Sequence, residues 1–153
     1  MTPSDDPLTT HTRHASRVIE VPVHRVLDAL LDPLALPAWN PAFRRVHGPT
    51  TARPGDTYAI NVRGLPGRLT YDETGPLSIA MRWQIPGFAE DGNWQLQPGK
   101  RGVMVSHGFT HHGPLASLLE PAFRTVAELR LERLARYSAA ADSTRRATAR
   151  PEG

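Results

Sequence analysis

The sequence contains no cysteine, and this absence limits the chemistry that the protein can use. Disulfide scaffolds, zinc sites with thiolate ligands and cysteine nucleophiles are all excluded. Glycine and proline, by contrast, are abundant, with 12 and 15 residues. So many turn-forming residues argue against a helical bundle in a chain of 153 residues, the size of one domain. A site in this protein must therefore rely on histidine, tyrosine and carboxylate side chains.

Long apolar segments are absent as well. No run of apolar residues approaches the roughly 18 needed to span a bilayer. Residues 1–13 are polar and acidic and lack the apolar centre of a secretory signal. We therefore predict a cytoplasmic protein without a membrane span.

Lysine is almost missing, because Lys100 is the only lysine among 18 lysines and arginines. A GC-rich coding bias, common in bacteria, explains this skew most simply, whereas nucleic-acid binding would be the functional explanation. The net charge is only +3, and the arginines are scattered among acidic residues, with Arg44–Arg45 and Arg145–Arg146 as the adjacent pairs. We predict no nucleic-acid partner.

Composition and periodicity divide the chain into a domain and two tails. Residues 1–10 and 139–153 are polar or small and aperiodic, so we predict disordered tails beside a domain at 11–138. Inside the domain, a strand leads to Pro22, which suits the first turn of a helix. Apolar residues then recur at spacings of three and four as far as Pro33, and a second short helix follows.

Between residues 43 and 112 the apolar period becomes two, which is the period of strands with one buried face. The run from Leu77 to Ile85 is the clearest case, because every second residue is large and apolar. Turn sequences rich in glycine and proline separate this run from its neighbours. We predict an antiparallel meander of about six strands in this region.

After Gly113–Pro114 the period returns to about 3.6 as far as Tyr137, which predicts a long amphipathic helix. Pro121 lies inside this pattern and should start the main helix or kink it. One apolar sheet face needs one cover, and this helix is the longest candidate. We predict an α+β fold in which a curved antiparallel sheet of about seven strands surrounds the C-terminal helix, with a cavity walled by two short helices.

Three segments resemble the polyketide cyclase/dehydrase branch of the START-like (SRPBCC) superfamily. They are the stretch from Asp32-Pro33 to Trp39-Asn40-Pro41, the strand Asn93–Leu96 with the following Pro98-Gly99, and Gly113-Pro114-Leu115 before the long helix. The resemblance covers roughly residues 11–138 and implies the helix-grip fold. The superfamily includes cyclases, lipid carriers and protein-interaction modules and shares no catalytic motif, so the resemblance assigns no catalytic residue.

Polar residues on the apolar face are the candidate catalytic groups, because a polar group there costs free energy unless it has a partner. His107 and His111 could exchange a proton with an enolising ketone, and Tyr71 could orient a carbonyl through its hydroxyl. Each could equally be a structural residue of the core. The two histidines do not predict a metal site, because four strand positions span about 13 Å, too far for one ion.

We predict that the ligand is a hydrophobic, oxygenated small molecule held between the sheet and the C-terminal helix without a cofactor. The reaction, if there is one, would be an aldol-type cyclisation or dehydration of a polyketide-like substrate. The alternatives are a non-catalytic carrier or sensor of a lipid-like molecule and a protein-interaction module, and we expect a monomer or a homodimer. The predicted ligand-binding residues are Trp39, Phe43, Tyr58, Ile60, Glu73, Met81, Trp83, Trp94, Phe109, Leu119 and Phe123.

Overall fold

A computed structural model describes residues 10–149 of the chain. The elements, in chain order, are β1 (His11–Ile19), α1 (Val23–Leu30), a short 3-10 turn (Pro33–Ala35), α2 (Leu36–Trp39), β2 (Arg45–His47), β3 (Thr57–Val62), β4 (Leu65–Thr74), β5 (Ser78–Ile85), β6 (Phe88–Gly99), β7 (Gly102–His112), α3 (Ala116–Phe123) and α4 (Val126–Ala149).

The seven strands form one antiparallel sheet in the order β1-β7-β6-β5-β4-β3-β2. The strands from β2 to β7 follow one another as a meander, and β1 closes the sheet beside β7. The short helices after β1 and the long α4 contact this sheet and one another, which confirms the predicted α+β helix-grip fold. In the described part of the chain, no helix is long and apolar enough to cross a membrane.

With the exception of Glu73 in β4, the period of two places the predicted inner side chains of the strands on the buried face. In β5, Ile79, Met81 and Trp83 are buried, whereas Arg82 and Gln84 between them are exposed. Because strand side chains alternate between faces, this single buried face defines the core. The core is aromatic at its centre, where Trp39 meets Trp94 at a ring distance of 5.4 Å.

Glu73 is the inner-face assignment that the structure contradicts. A bulge in β4 shifts the register between Tyr71, which pairs with Met81, and Glu73, which pairs with Ala80. The extra residue inverts the alternation, because two residues of the bulged strand oppose one residue of its partner. Glu73 is therefore exposed on the outer face and cannot line an interior ligand site.

The C-terminal helical region is divided, but not at the predicted position. Pro121 lies inside α3, and the helix is interrupted after Phe123, at Arg124–Thr125. α3 is thus a separate helix between the end of β7 and the start of α4. Glu120 of α3 forms an ion pair with Arg13 of β1, which ties α3 to the edge of the sheet.

α4 extends well past residue 138, where we predicted the domain to end. Residues 139–149 are helical instead of a disordered tail, and Asp142 accepts a hydrogen bond of 3.1 Å from the Nε of Arg25 on α1. The stretch lacks an apolar stripe, but its alanines and arginines favour helix, and the tie to α1 anchors it. Residues 1–9 and 150–153 of the two predicted tails lie outside the described residues.

Candidate functional site

The core contains a buried carboxylate, Glu90 on β6, that accepts hydrogen bonds from three other elements. Arg130 of α4 donates to both carboxylate oxygens, from Nη2 to Oε1 at 2.9 Å and from Nη1 to Oε2 at 3.0 Å. His111 of β7 and Trp83 of β5 each add one donor at 2.8 Å. Four N–H donors from three residues therefore surround this one carboxylate. We call Glu90, Arg130, His111 and Trp83 the Glu90 cluster.

Strand register brings the Glu90 cluster together. Glu90 lies opposite Trp83 on one side and opposite His111 on the other, so that three inner positions stand side by side across the sheet. The next inner position along β6 is Gly92, where an added Cβ would lie 3.6 Å from Glu90 Oε2. That distance is an ordinary van der Waals contact, so the absence of a side chain at Gly92 is not what makes room for the carboxylate. Arg130 reaches Glu90 from α4, with its guanidinium 4.9 Å from the centre of the Phe109 ring.

Electrostatics keep Glu90 ionised despite its burial. Burial alone would raise the pKa of this carboxyl, but the Arg130 charge and the hydrogen bonds from His111 and Arg130 together lower the pKa below its ordinary value. A buried carboxylate with this many donors is a fixed anion. It does not act as a proton donor near neutral pH.

His107, one of the two predicted catalytic histidines, has both ring nitrogens engaged. Nδ1–H donates to the carbonyl oxygen of Asn93 at 2.9 Å, and Nε2 accepts from Arg130 Nη1 at 3.1 Å. Burial first, and then the Arg130 charge, lower the pKa of His107 to about 3. The ring is also stacked on Trp94, with 3.7 Å between the centroids. No ring nitrogen is left for a substrate, which speaks against the predicted acid–base role of His107.

His111 is arranged differently. Its Nε2–H donates to Glu90 Oε1, so Nδ1 is the ring nitrogen that this contact leaves open to another partner. A carboxylate that holds one nitrogen of an imidazole fixes the tautomer and orients the ring, as the aspartate does for the histidine base of a catalytic triad. The ring lies among Phe88, Phe109 and Phe123, with centroid distances of 4.6, 4.6 and 4.5 Å. His111 is therefore the better placed of the two histidines for proton transfer.

The two predicted tyrosines lie side by side in the core, 5.9 Å apart between ring centroids. The hydroxyl of Tyr71 donates to the carbonyl oxygen of Leu30 at 2.8 Å, and burial, followed by the neighbouring Tyr58 and Asp32, raises the pKa of Tyr71. The hydroxyl of Tyr58 has no partner among the described residues. Burial and Asp56 raise the pKa of Tyr58 as well. Tyr71 therefore stabilises the contact between β4 and α1 and has no proton to offer a ligand.

Several further donors in the core lack an acceptor within residues 10–149. They include the indole N–H groups of Trp39 and Trp94 and the Nε–H of Arg130. Trp94 connects them, because it contacts Trp39 at its edge and stacks on His107, which in turn accepts from Arg130. Buried donors usually have partners. The groups that lack a partner in this region are therefore hydrogen-bond donors, which would pair with acceptor atoms.

The sheet and α3 enclose an apolar pocket of about 150 Å³ next to the Glu90 cluster. Ligand sites for drug-sized molecules usually have volumes of about 300–1,000 Å³, so this pocket is small. Aromatic side chains fill most of the space that the curved sheet was expected to leave open. The residues that line the pocket are Val62, Arg63, Leu65, Trp83, Ile85, Phe88, Leu115, Leu119 and Phe123.

Three of the predicted ligand-binding residues line this pocket, namely Trp83, Leu119 and Phe123. The other inner-face residues are buried in the core away from it, and their ligand-binding role stays a prediction. They are Trp39, Phe43, Tyr58, Ile60, Met81, Trp94 and Phe109. Among the described residues, no group of three or more histidine, aspartate and glutamate side chains is arranged to hold a metal ion.

Sequence reasoning missed Glu90, Arg130 and Arg63. Glu90 lies four residues before Trp94, on the same face of the strand, and this spacing was the available signal. Arg130 lies on the buried stripe of α4 with Ala127 and Leu134, at spacings of three and four. A charged residue on an apolar stripe indicates a buried ion pair, which the periodicity alone could have suggested.

The Glu90–Arg130 pair predicts a large and specific effect on stability. We expect Arg130→Met to lower the free energy of unfolding by about 3–5 kcal/mol, because the carboxylate of Glu90 stays buried without its main counter-charge. The double variant Glu90→Leu/Arg130→Met should recover part of this loss. Urea unfolding measures both, with Arg133→Met as the control on the exposed face of the same helix. Equal stabilities for Arg130→Met and the control would contradict this account.

The lowered pKa of His107 predicts acid sensitivity. In the unfolded chain this histidine takes up a proton as the pH falls through the ordinary histidine pKa of 6.5, whereas in the folded protein it does so only near 3. The unfolded state therefore binds more protons between these values, and the stability present above pH 6.5 is lost as pH falls, by up to about 1.4 kcal/mol per pH unit.

Chemical unfolding between pH 5 and 7 tests this expectation. His107→Gln should flatten the dependence of unfolding free energy on pH, whereas His47→Gln, at an exposed position of β2, is the control. An unchanged slope in His107→Gln would show that another group is responsible.

Comparison with known proteins agrees with this architecture. Residues 10–139 match the family model described as "Polyketide cyclase / dehydrase and lipid transport", and no curated protein matches the chain. Protein CV1439 from Chromobacterium violaceum is similar at 27% identity, with a TM-score of 0.63 over 81% of this chain and 94% of that one.

Two functionally named structures share the fold at low identity. The di-domain ARO/CYC StfQ from the steffimycin biosynthetic pathway has 12% identity and a TM-score of 0.70, over 90% of this chain and 53% of that one. Norcoclaurine synthase from Thalictrum flavum has 11% identity and a TM-score of 0.64, over 84% and 92% of the two chains. With the family model matching most of its length, this chain belongs to the polyketide cyclase/dehydrase and lipid transport family.

Proposed function

We propose that this protein binds a compact, hydrophobic, oxygenated small molecule in the pocket between α3 and the sheet. The observation that carries the proposal is the pocket itself, which is lined by the aromatic side chains of Trp83, Phe88 and Phe123 and by aliphatic side chains. Apolar concave sites with a few polar groups are the usual form of small-molecule sites. Membership of the polyketide cyclase/dehydrase and lipid transport family supports the same class of ligand.

Trp83 connects the pocket to the Glu90 cluster. One face of its side chain belongs to the pocket wall, and its Nε1–H is held by Glu90 Oε2. Because Glu90 is held in turn by Arg130 and His111, the orientation of the indole is fixed before a ligand arrives. A preorganised wall reduces the entropy lost on binding. The pocket is thus rigid on the sheet side.

The opposite side of the pocket is formed by α3 and the residues before it. Leu115, Leu119 and Phe123 lie at spacings of four and face the pocket, whereas Leu118 points outward and is 73% exposed. Residues four apart share a helix face, which explains why these three act together. This difference between Leu118 and Leu119 provides a matched pair for testing the site.

Binding of 2-acetylnaphthalene, a flat two-ring ketone, tests the proposal by isothermal titration calorimetry. We expect Leu119→Trp to fill the pocket and weaken binding at least about tenfold, a change of about 1.4 kcal/mol. Leu118→Trp, one residue away on the exposed side, should bind as the unaltered protein does. Equal affinities of the two variants would place the ligand elsewhere. An absence of binding to the unaltered protein would favour the protein-interaction role, which a small pocket also fits.

Catalysis is the second candidate, and the Glu90–His111 pair is the observation that favours it. His111 lies behind the pocket wall, in contact with Phe88 and Phe123, so catalysis would require a substrate to reach it past these rings. In an aldol closure, His111 Nδ1 would then remove a proton from the carbon next to a ketone. The resulting carbanion would attack a second carbonyl, the new alkoxide would take up a proton, and loss of water would give the enone. Glu90 would stabilise the imidazolium formed in the first step.

The cyclisation of 2,6-heptanedione to 3-methylcyclohex-2-enone, followed by enone absorbance, distinguishes catalysis from binding. If the protein catalyses the reaction, His111→Phe should lower the rate by about 100-fold, the lower range for loss of a general base. His112→Phe, at the next residue on the opposite strand face, is the control. A rate in the unaltered protein no higher than in buffer would leave a carrier or sensor as the function.

A further inference from the structure

The turn between β3 and β4 contains an arginine in a conformation that arginine rarely adopts. Val62 pairs with Leu65, so Arg63 and Gly64 form a two-residue hairpin turn. Their φ angles are +52° and +88°, and Arg63 is the one non-glycine residue with a positive φ within residues 10–149. Positive φ at both turn positions is the pattern of a type I′ turn, for which Asn-Gly is the preferred sequence.

Arginine at the first position of this turn is a local cost. A side chain in the left-handed region places Cβ close to the following carbonyl oxygen, which asparagine and glycine tolerate far better. The rest of the turn follows the usual chemistry, because Asn61 Oδ1 accepts a hydrogen bond of 2.8 Å from Gly64 N. Strained residues of this kind are concentrated at ligand clamps and functional sites. The presence of arginine at this position therefore calls for an explanation other than turn formation.

The position of Arg63 supplies that explanation. It lines the pocket beneath α3 and is the one charged residue among the described residues that do so. It is exposed and, like Arg68 and other exposed arginines, forms no ion pair within the described part of the chain, so its guanidinium is available to a ligand. The pocket thus has an apolar interior and a single cation at its rim.

We propose that Arg63 binds the anionic group of the ligand, so that the ligand is an amphipathic acid with a compact apolar ring system and a carboxylate. This inference rests on the proposed function and specifies its ligand class. The ring system would lie against Trp83, Phe88 and Phe123, with the carboxylate directed to the rim. A guanidinium offers two parallel N–H donors that match a carboxylate, which gives direction as well as attraction.

Two probes of similar ring system separate the charge from the apolar contact. 2-Naphthoate carries a carboxylate, and 2-acetylnaphthalene carries a neutral carbonyl at the same position. Arg63→Asn removes the cation and installs the residue that the turn prefers. We expect this variant to lower the affinity for 2-naphthoate about fivefold, the upper range for a partly exposed ion pair. Its affinity for 2-acetylnaphthalene should be unchanged. The free variant should be at least as stable to heat as the unaltered protein.

Arg68→Gln is the control, because Arg68 is an exposed arginine of the neighbouring strand that does not line this pocket. It should leave the affinity for both probes unchanged. Equal weakening of both probes by Arg63→Asn, or no change in 2-naphthoate binding, would overturn the assignment of Arg63 while leaving the pocket as the ligand site. Failure of both probes to bind the unaltered protein would overturn the proposed function and this inference with it.

Discussion

The bidentate pair between Glu90 and Arg130 is the interaction on which the arrangement of this protein depends. A carboxylate and a guanidinium buried together lose several kcal/mol of hydration each, and only complete hydrogen bonding offsets that loss. Glu90 achieves it by drawing donors from β5, β7 and α4 at once. Because these donors come from three elements, the carboxylate links α4 to two strands of the sheet at one point. The pair therefore determines the position of the helix more than it adds to net stability.

The same pair limits what chemistry the core can perform. Arg130 also donates to His107, whose second nitrogen donates to a backbone carbonyl, so both ring nitrogens of this histidine are used in structural hydrogen bonds. The hydroxyl proton of Tyr71 is likewise used in a hydrogen bond to the carbonyl oxygen of Leu30. His111 shares its carboxylate with Arg130, and its ring packs among three phenylalanine rings. Two of these rings, Phe88 and Phe123, line the pocket, so His111 is the predicted catalytic group that lies nearest to the pocket wall.

Local patterns in the sequence were sufficient for the fold and for which side chains turn inward, as Tyr71, Trp83 and His107 show. They failed where the outcome depends on pairing between distant segments. A bulge moved Glu73 to the outer face, and no periodicity within β4 encodes it. Glu90 and Arg130 are 40 residues apart; the periodicity of each segment places its residue on an inner face, but only the packing of α4 on the sheet shows that the two pair with each other. The helical continuation to residue 149 is likewise anchored by a contact between distant segments, from Asp142 to Arg25 of another helix.

A fold shared by cyclases, carriers and binding modules must express its specificity in positions that its architecture leaves free. The Glu90 cluster is not free, because the placement of α4 depends on it. The rim of the pocket is free, since the β3–β4 turn accepts any pair of residues that tolerates positive φ and α3 is joined to α4 through a helix break. An arginine kept in that turn against its conformational preference is therefore more informative about the ligand than the buried histidines. Charge at the rim distinguishes ligands whose apolar ring systems fit the pocket equally well.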